Sequence, residues 1–302
     1  TFFALFEIGL ILLIFYILYR IFFRIYVKKI DPSRRYILVT GAANGIGFDT
    51  TKRLLALGCN VIAADIDAKS LMEKDFGEKG RLKVILNTEI SDQNEKNQEK
   101  ESIQVFKKAL KELREKGKDQ GLLIPVYMDV GKLKSILFAK MAIMDVVFDT
   151  SDAQKSEITN LPRKLFGIVN NAGVAMNYGC ALSGIVELPE SDLLKVTSIN
   201  FWGVVRVTRE FFPLLDRDPE RKKKDSPCVV NISSVAGYIS PPFFSFYAPT
   251  KHAVRSYSDA LRVESFGHGF RVACIEPGFT STAILAVPKV QESSEWAEEI
   301  RT

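Results

Sequence analysis

The sequence predicts an α/β fold, a doubly wound parallel sheet in three layers α/β/α, with a transmembrane helix at its N-terminus. Short apolar runs alternate with helical patterns between residues 36 and 275, which is typical of a parallel sheet covered by helices on both faces. Polar residues and glycines follow the ends of these runs. Residues 1–27 are almost wholly apolar, so we expect an anchor over residues 1–28 and one α/β domain over residues 29–302.

The predicted anchor is interrupted only by Glu7, Arg20 and Arg24. Its stretch from Leu5 to Phe23 is long enough to cross a hydrocarbon core of about 30 Å, with Arg20 snorkelling at one end. A cleaved signal peptide is one alternative, but a basic leading region and a small-residue cleavage site are missing. A buried soluble helix is the other, and it rarely carries Phe, Leu and Ile on all sides. Basic residues follow the span, so we expect the α/β domain to face the cytoplasm.

The composition argues against two kinds of site. The 302 residues carry a formal net charge of +5, and the basic residues cluster near the N-terminus and in Arg221–Lys224, which is not the pattern of a nucleic-acid-binding face. The four cysteines are widely spaced without a CxxC pair, as expected of free thiols in a reducing compartment. His252 and His268 lack the spacing of metal ligands, so we expect no metal site.

A glycine-rich turn and an acidic residue predict a dinucleotide site. Gly41, Gly45 and Gly47 lie between a strand predicted over 36–40 and a helix predicted over 48–57. Such glycines let the backbone approach a pyrophosphate, and the helix N-terminus offers N–H groups and a favourable dipole. Asp65 ends the second predicted strand, where a carboxylate binds ribose hydroxyls and repels a 2′-phosphate. No Arg or Lys lies in the turn or directly after Asp65, which favours NAD(H) over NADP(H).

The remaining elements follow the same alternation, except for a charged insertion within residues 68–121. There we expect a helix over Ala68–Phe76 capped by Asp67, then a solvated loop and a surface helix ended by Gly117. The other predicted strands cover residues 60–64, 122–128, 165–169, 228–232 and 271–275, and the other predicted helices cover residues 132–148, 191–215 and 247–266.

Ligands of doubly wound sheets bind at the carboxyl ends of the strands, so residues that follow the strands are candidates for one site. We expect the amides of Asn170 and Asn171 to bridge neighbouring strands. Asn200 lies in the middle of a predicted helix, where asparagine is a middling helix former, and by itself it is expected to face solvent. The residues that fall at predicted strand ends, and so should share one edge of the sheet, are Gly41, Asp65, Asp129, Asn171, Ser234 and Gly278.

The stretch Val230–Lys251 carries groups with acid–base chemistry. Tyr247 and Lys251 are four residues apart and therefore lie on one face of a helix. A phenol has a pKa of about 10, and a neighbouring ammonium lowers that pKa by favouring the phenolate. The hydroxyl of Ser234 could then hold a carbonyl or alcohol oxygen beside the phenol. The alternative is a tyrosine and a lysine on an exposed helix face, and YxxxK alone is weak evidence.

Together, residues 36–285 resemble the short-chain dehydrogenase/reductase family, whose domain has a Rossmann-like fold. The resemblance is carried by TGAANGIG (40–47), Asp65, DV (129–130), NNAG (170–173), Asn200, Ser234, YAPTK (247–251) and PG (277–278). The segments 200–215, 244–264 and 272–279 further resemble the membrane-associated retinol and hydroxysteroid dehydrogenase branch, which also includes 3-hydroxybutyrate dehydrogenase.

The resemblance implies hydride transfer between a nicotinamide and an alcohol or carbonyl carbon. Tyr247 would be the general acid/base and Ser234 would hold the substrate oxygen. Lys251 would lower the pKa of the tyrosine and bind the nicotinamide ribose, and Asn200 would hold a water in a proton relay. The implied cofactor site comprises Gly41, Asn44, Gly45, Ile46, Gly47, Asp65, Asp129, Val130, Asn171, Ala172, Gly173, Tyr247, Lys251, Pro277, Gly278, Thr280 and Thr282.

The sequence departs from the family pattern in three places. Pro249 and Thr250 replace the usual small residue and serine, the insertion within 68–121 is long, and the chain stops at Thr302 before the family's substrate lid and seventh strand. We therefore expect a C-terminally incomplete domain. A homodimer through helices 191–215 and 247–266 is a further implication of the resemblance.

The leading hypothesis is an NAD-dependent dehydrogenase of retinoids, steroids or other lipophilic alcohols, anchored in the endoplasmic reticulum. Two alternatives stay open. One is an NADPH-dependent reductase of lipid ketones, against which Asp65 argues. The other is a catalytically idle, nucleotide-binding membrane scaffold, against which the set of Ser234, Tyr247, Lys251 and Asn200 argues.

Overall fold

The computed structural model describes residues 36–74, 121–147, 165–175, 190–220, 225–241, 244–278 and 280. The chain divides between Asp31 and Pro32 into two units, and every described residue belongs to the second. The predicted anchor, the loop and surface helix of the insertion, and the connection at 151–162 lie outside the described residues. Within the described ranges, no helix has the length and apolar character needed to cross a bilayer.

Six parallel strands form one sheet in the order β3-β2-β1-β4-β5-β6. The chain steps outward from β1 to β3 and then returns past β1 to β4, so the strand order reverses between β1 and β4. This reversal opens a crevice at the carboxyl ends of the strands. The predicted doubly wound parallel sheet is confirmed. The strands β1 to β6 are Tyr36–Thr40, Asn60–Asp65, Leu123–Tyr127, Leu165–Asn170, Cys228–Ile232 and Arg271–Ile275.

The helices depart from prediction mainly at their ends. The helix predicted to start at Phe48 starts at Gly45, because the glycine run itself forms the first turn. The helix predicted over 68–76 covers four residues, with Lys69 rather than Asp67 at the N-cap, because residues 66–69 form turns. The α-helices α1 to α6 are Gly45–Ala56, Ser70–Glu73, Leu133–Ala142, Glu190–Thr197, Gly203–Phe211 and Tyr247–Glu264.

The long helix predicted over 191–215 is interrupted. A π-helical segment, Ser198–Trp202, separates α4 from α5, and a 3₁₀ turn, Phe212–Leu214, ends the run. A π-helical turn inserts a residue into the helical repeat and changes which side chains face inward. A second π-helical segment, Ile143–Val147, follows α3. The first of these segments contains Asn200, whose orientation it determines.

Apolar side chains cover both faces of the sheet, as expected for parallel strands. Successive residues of one strand contribute to opposite faces: Leu38 belongs to one cluster and Val39 to the other. The larger cluster includes residues of α3 and α5, such as Ile136 and Phe211, and the smaller one includes Leu55 of α1. The sheet is therefore the middle layer of three, with its carboxyl edge left available for a site.

Candidate active site

A cavity of about 500 Å³ lies at the carboxyl ends of the strands. Segments far apart in the chain contribute to it, as predicted from the strand ends. Because six strands deliver these residues to one edge, the sheet topology assembles the site. The six residues predicted to share this edge all line the cavity, namely Gly41, Asp65, Asp129, Asn171, Ser234 and Gly278.

The glycine-rich turn is shaped by close approach of backbone to backbone. Gly41 has a φ of +63°, a conformation that L side chains rarely adopt. A Cβ atom on Gly47 would lie 2.0 Å from the carbonyl oxygen of Gly41, so Gly47 is required for packing and does not line the cavity. Gly45 and Ile46 do line it. They are the first residues of α1, so their N–H groups have no acceptor within the helix and suit an anion.

Asp65 is held in place at the end of β2 by backbone donors. Its Oδ2 accepts a hydrogen bond from the N–H of Ala43 at 2.8 Å, and its Oδ1 accepts one from the N–H of Asp67 at 2.9 Å. An ionised carboxylate has about four lone-pair positions, so acceptors remain for a ligand. The structure thus brings a carboxylate beside the glycine-rich turn, where the sequence predicted a ribose contact.

The amides of two consecutive asparagines bridge strands, as predicted. Asn170 donates from Nδ2 to Asn231 Oδ1 of β5 and to Thr208 Oγ1 of α5, both at 2.8 Å. Asn171 donates from Nδ2 to the carbonyl oxygens of Thr40 and Gly41, both at 3.0 Å. Asn171 therefore ties the end of β4 to the glycine-rich turn. Ala172 and Gly173, which follow it, line the cavity.

Asn200 is fully buried, so the expectation that it faces solvent is wrong. Its amide group accepts a hydrogen bond from the N–H of Val174 and donates one to the carbonyl of the same residue, both at 2.8 Å. It also donates to Thr250 Oγ1 at 3.1 Å. The π-helical turn aims this side chain at the interior. Asn200 does not line the cavity itself but holds Val174, which does.

Ser234, Tyr247 and Lys251 converge on the cavity from β5 and α6. Tyr247 is 9% exposed and Lys251 is 4% exposed, which excludes the alternative of an open helix face. The Nζ of Lys251 lies 5.5 Å from the ring centroid of Tyr247 and donates to the carbonyl of Ile232 at 3.1 Å. Ser234 Oγ accepts from the N–H of Ala236 at 3.2 Å. The three side chains form one acid–base group.

Burial sets the protonation of this group. Desolvation raises the pKa of Tyr247, and a hydrogen bond with Ser234 acts in the opposite direction. Desolvation lowers the pKa of Lys251 to about 8. The expected net lowering of the tyrosine pKa is therefore wrong, because loss of water around the phenol outweighs the opposing hydrogen bond with Ser234. The phenol is protonated at neutral pH, whereas the lysine titrates just above it.

The end of β6 is tied to the loop that carries Ser234. The N–H of Val235 donates to the carbonyl of Pro277 at 2.9 Å. Arg255 of α6 stacks 3.5 Å from the ring centroid of Tyr238 and pairs with Glu276 at 3.4 Å, so it links the same two segments. Of the remaining predicted cofactor contacts, Thr282 lies outside the described residues. The others that line the cavity are Asn44, Val130, Pro277, Gly278 and Thr280.

An apolar wall beside Tyr247 was not foreseen from the sequence. Phe244 packs against the Tyr247 ring with centroids 5.8 Å apart, and Pro241 and Ala175 lie on the same cavity. The aromatic stretch just before Tyr247 was the available signal, but its orientation depends on how α6 packs. The further lining residues not predicted are Ile66, Met128, Val174, Ile199, Ile232, Ser233, Val235 and Ala236.

Comparison with known proteins identifies the family. The family profile described as short chain dehydrogenase matches residues 35–115 and 132–292. This chain belongs to the short-chain dehydrogenase family. The predicted resemblance is thereby confirmed.

Curated relatives of this short-chain dehydrogenase include proteins named for three substrates. Mitochondrial D-beta-hydroxybutyrate dehydrogenase of Bos taurus is 30% identical over 84% of this chain and 57% of its own length. Human retinol dehydrogenase 16 is 27% identical over 86% of this chain and 61% of its own length. Estradiol 17-beta-dehydrogenase 2 of Mus musculus is 26% identical over 97% of this chain and 61% of its own length. The chain thus spans about three fifths of these relatives.

Solved structures share the fold. A short chain dehydrogenase/reductase from Burkholderia phymatum in complex with NAD has a TM-score of 0.55 and 22% identity, over 89% of this chain and 70% of that one. The 3-ketoacyl-(acyl-carrier-protein) reductase from Brucella melitensis complexed with NADH has a TM-score of 0.58 and 19% identity, over 84% of this chain and 80% of that one.

Proposed function

We propose that this short-chain dehydrogenase transfers hydride between NAD(H) and an alcohol or carbonyl group of a lipophilic molecule. The observation that carries the proposal is the convergence of Ser234, Tyr247 and Lys251 on a cavity that also contains the glycine-rich turn and Asp65. Acid–base groups and a phosphate-binding turn in one crevice are what a nicotinamide-dependent oxidoreductase requires.

The residues around the turn fit an extended dinucleotide. The N–H groups of Gly45 and Ile46 would bind the pyrophosphate, and Asp65 would bind the adenosine ribose hydroxyls. Asp129 and Val130 would flank the adenine. Pro277, Gly278 and Thr280 would line the nicotinamide end, with Lys251 on the ribose beside it. Bound there, the nicotinamide ring supplies the hydride chemistry, and the protein supplies position and proton transfer.

Tyr247 would move the proton. In carbonyl reduction its protonated phenol donates to the oxygen that becomes the alcohol, and in alcohol oxidation its phenolate accepts that proton. The Ser234 hydroxyl would hold the same oxygen. A protonated Lys251 would stabilise the phenolate, since an ammonium within a few ångströms favours the charged form. Asn200 and Thr250, bonded to each other, would fix the start of α6 and so the position of the phenol.

The apolar wall favours a lipophilic substrate. Ala175 and Phe244 pack against the cluster that contains Tyr247, and Pro241 lines the same cavity. There they would bury hydrocarbon and leave one oxygen for Ser234 and Tyr247. The predicted anchor over residues 1–28 supports the same conclusion, because lipophilic alcohols partition into bilayers. We place the protein in the endoplasmic reticulum with its α/β domain in the cytoplasm, and a homodimer through α4, α5 and α6 is part of the proposal.

The test uses the full chain in detergent or lipid. We expect NADH to bind and a panel of lipophilic alcohols, including a retinoid and a steroid, to be oxidised faster than small polar alcohols. Tyr247→Phe should retain NADH binding and lose at least about 100-fold in turnover, the usual contribution of a general acid or base. NADH binding without turnover on the whole panel would instead support the idle scaffold. Turnover of lipid ketones with NADPH alone would support the reductase alternative.

A further inference from the structure

Lys74, just after α2, reaches back to the glycine-rich turn. Its Nζ donates to Asn44 Oδ1 at 2.7 Å and to the carbonyl oxygen of Ala43. The same Nζ lies 5.0 Å from the ring centroid of Phe48, at a distance at which a cation is attracted to an aromatic ring. Three contacts therefore hold a half-buried ammonium against the turn and the first turn of α1.

The ammonium of Lys74 lies close to the carboxylate of Asp65, which is expected to repel a 2′-phosphate. The N–H of Ala43 donates to Asp65 Oδ2, while the carbonyl of Ala43 accepts from Lys74 Nζ. The two charged groups thus bind opposite ends of one residue, within about 10 Å of each other by standard bond lengths. Asn44 and Asp65 both line the cavity. The adenosine-ribose end of the site therefore has a positive group as well as a negative one.

Among the described residues, the ammonium of Lys74 faces neutral hydrogen-bond acceptors. Its two hydrogen bonds go to neutral atoms, a carbonyl and an amide oxygen, whereas an ammonium has three donors. Across the described ranges, no carboxylate forms an ion pair with it. A phosphate monoester carries a charge of roughly −1.5 to −2 at neutral pH, and Lys74 would offset its repulsion by Asp65.

We propose that Lys74 lets the adenosine-ribose end of this site accept a 2′-phosphate. The protein would then bind NADP(H) as well as NAD(H). Asp65 would make NAD(H) the preferred cofactor, and Lys74 would reduce the difference in affinity between the two cofactors. The ammonium would exchange the Asn44 amide oxygen for a phosphate oxygen. This inference rests on the proposed cofactor site.

The experiment measures NADH and NADPH dissociation constants of the full chain at constant ionic strength. Lys74→Met keeps the aliphatic stem but removes the charge, and should weaken NADPH binding about tenfold, the cost of one lost charge contact. Binding of NADH should change by less than about twofold. Lys69→Met removes an exposed lysine at the opposite end of α2; it is the matched control and should change neither constant.

A second variant tests the opposing charge. Asp65→Asn keeps an acceptor for the N–H of Ala43 and should tighten NADPH binding. This gain in affinity should be smaller when Lys74→Met is also present, because two charges acting on one phosphate are coupled. If Lys74→Met weakens NADH and NADPH binding equally, the lysine only stabilises the glycine-rich turn, and the proposal is overturned. Unchanged NADPH binding would do the same. If the unaltered protein binds neither cofactor, the proposed function itself fails.

Discussion

The buried lysine of the active site shows how much a residue's chemistry depends on its surroundings. The sequence places Lys251 on the same helix face as Tyr247, and the structure confirms that placement. Burial then lowers the pKa of the lysine to about 8 and raises that of the tyrosine. Both shifts follow from the loss of water around the charged forms. Spacing alone predicted the pair but not the direction in which the tyrosine titrates.

Replacing this lysine should stabilise the fold while removing activity. Because the folded-state pKa is about 8 rather than the ordinary 10.5, the charged lysine destabilises the folded protein fully below about pH 8. That cost disappears as the pH rises toward 10.5. We expect Lys251→Met to raise the free energy of unfolding at pH 7 by up to about 3 kcal/mol, measured by urea denaturation. A variant less stable than the unaltered protein would contradict this, and so would an increase in the free energy of unfolding that is as large at pH 10.5 as at pH 7.

The same pKa predicts the pH dependence of carbonyl reduction. If the Lys251 ammonium stabilises the phenolate formed when Tyr247 gives up its proton, kcat/KM should be level near neutral pH and fall as the pH rises through about 8. The profile of kcat/KM against pH measures this directly in the free enzyme. Lys251→Arg, which stays protonated, should move the decline to higher pH, whereas Lys69→Met should leave it in place. A level profile up to pH 9.5 would refute this assignment.

Among the secondary-structure elements, the π-helical segment has the clearest effect on the site. It turns Asn200 inward, where the amide satisfies both backbone groups of Val174 and contacts Thr250. A regular α-helix was predicted here, and in it the same asparagine was expected to face solvent. Helical periodicity carries no information about an inserted residue, so only the packed helix shows where this side chain points.

Removing the amide should cost stability and also affect catalysis. Asn200→Ala removes the hydrogen-bond partners of the N–H and carbonyl of half-buried Val174 and one partner of buried Thr250, so we expect a loss of about 1–3 kcal/mol in the free energy of unfolding. Because Val174 lines the cavity, kcat should fall more than KM changes. Denaturation together with steady-state kinetics measures both quantities. Asn200→Asp keeps the acceptor for the N–H of Val174 but sets a fully buried carboxylate against the carbonyl oxygen of the same residue, so a larger loss of stability than in Asn200→Ala is expected at neutral pH. An Asn200→Asp variant as stable as the unaltered protein would argue against this role.

For the molecule as a whole, the proposed membrane anchor determines where the α/β domain works. The apolar run over residues 1–27 predicts a span, and inserting an arginine at its centre costs about 2.5 kcal/mol or more. We expect the full chain to resist extraction from membranes by alkaline carbonate, and the double variant Leu12→Arg/Leu13→Arg to be released. Release of the unaltered chain would contradict a transmembrane anchor. NADH binding by the variant would show that its α/β domain is still folded.

The sequence alone determined the sheet, its parallel strands and most of the residues at its carboxyl edge. Alternating apolar runs report local backbone geometry, and a doubly wound sheet brings strand ends together whatever the intervening loops are. Three features follow from packing alone: the raised pKa of Tyr247, the inward turn of Asn200 and the contact of Lys74 with Asn44, thirty residues away. Burial and long-range contact depend on how distant segments pack, and no local pattern of residues encodes them.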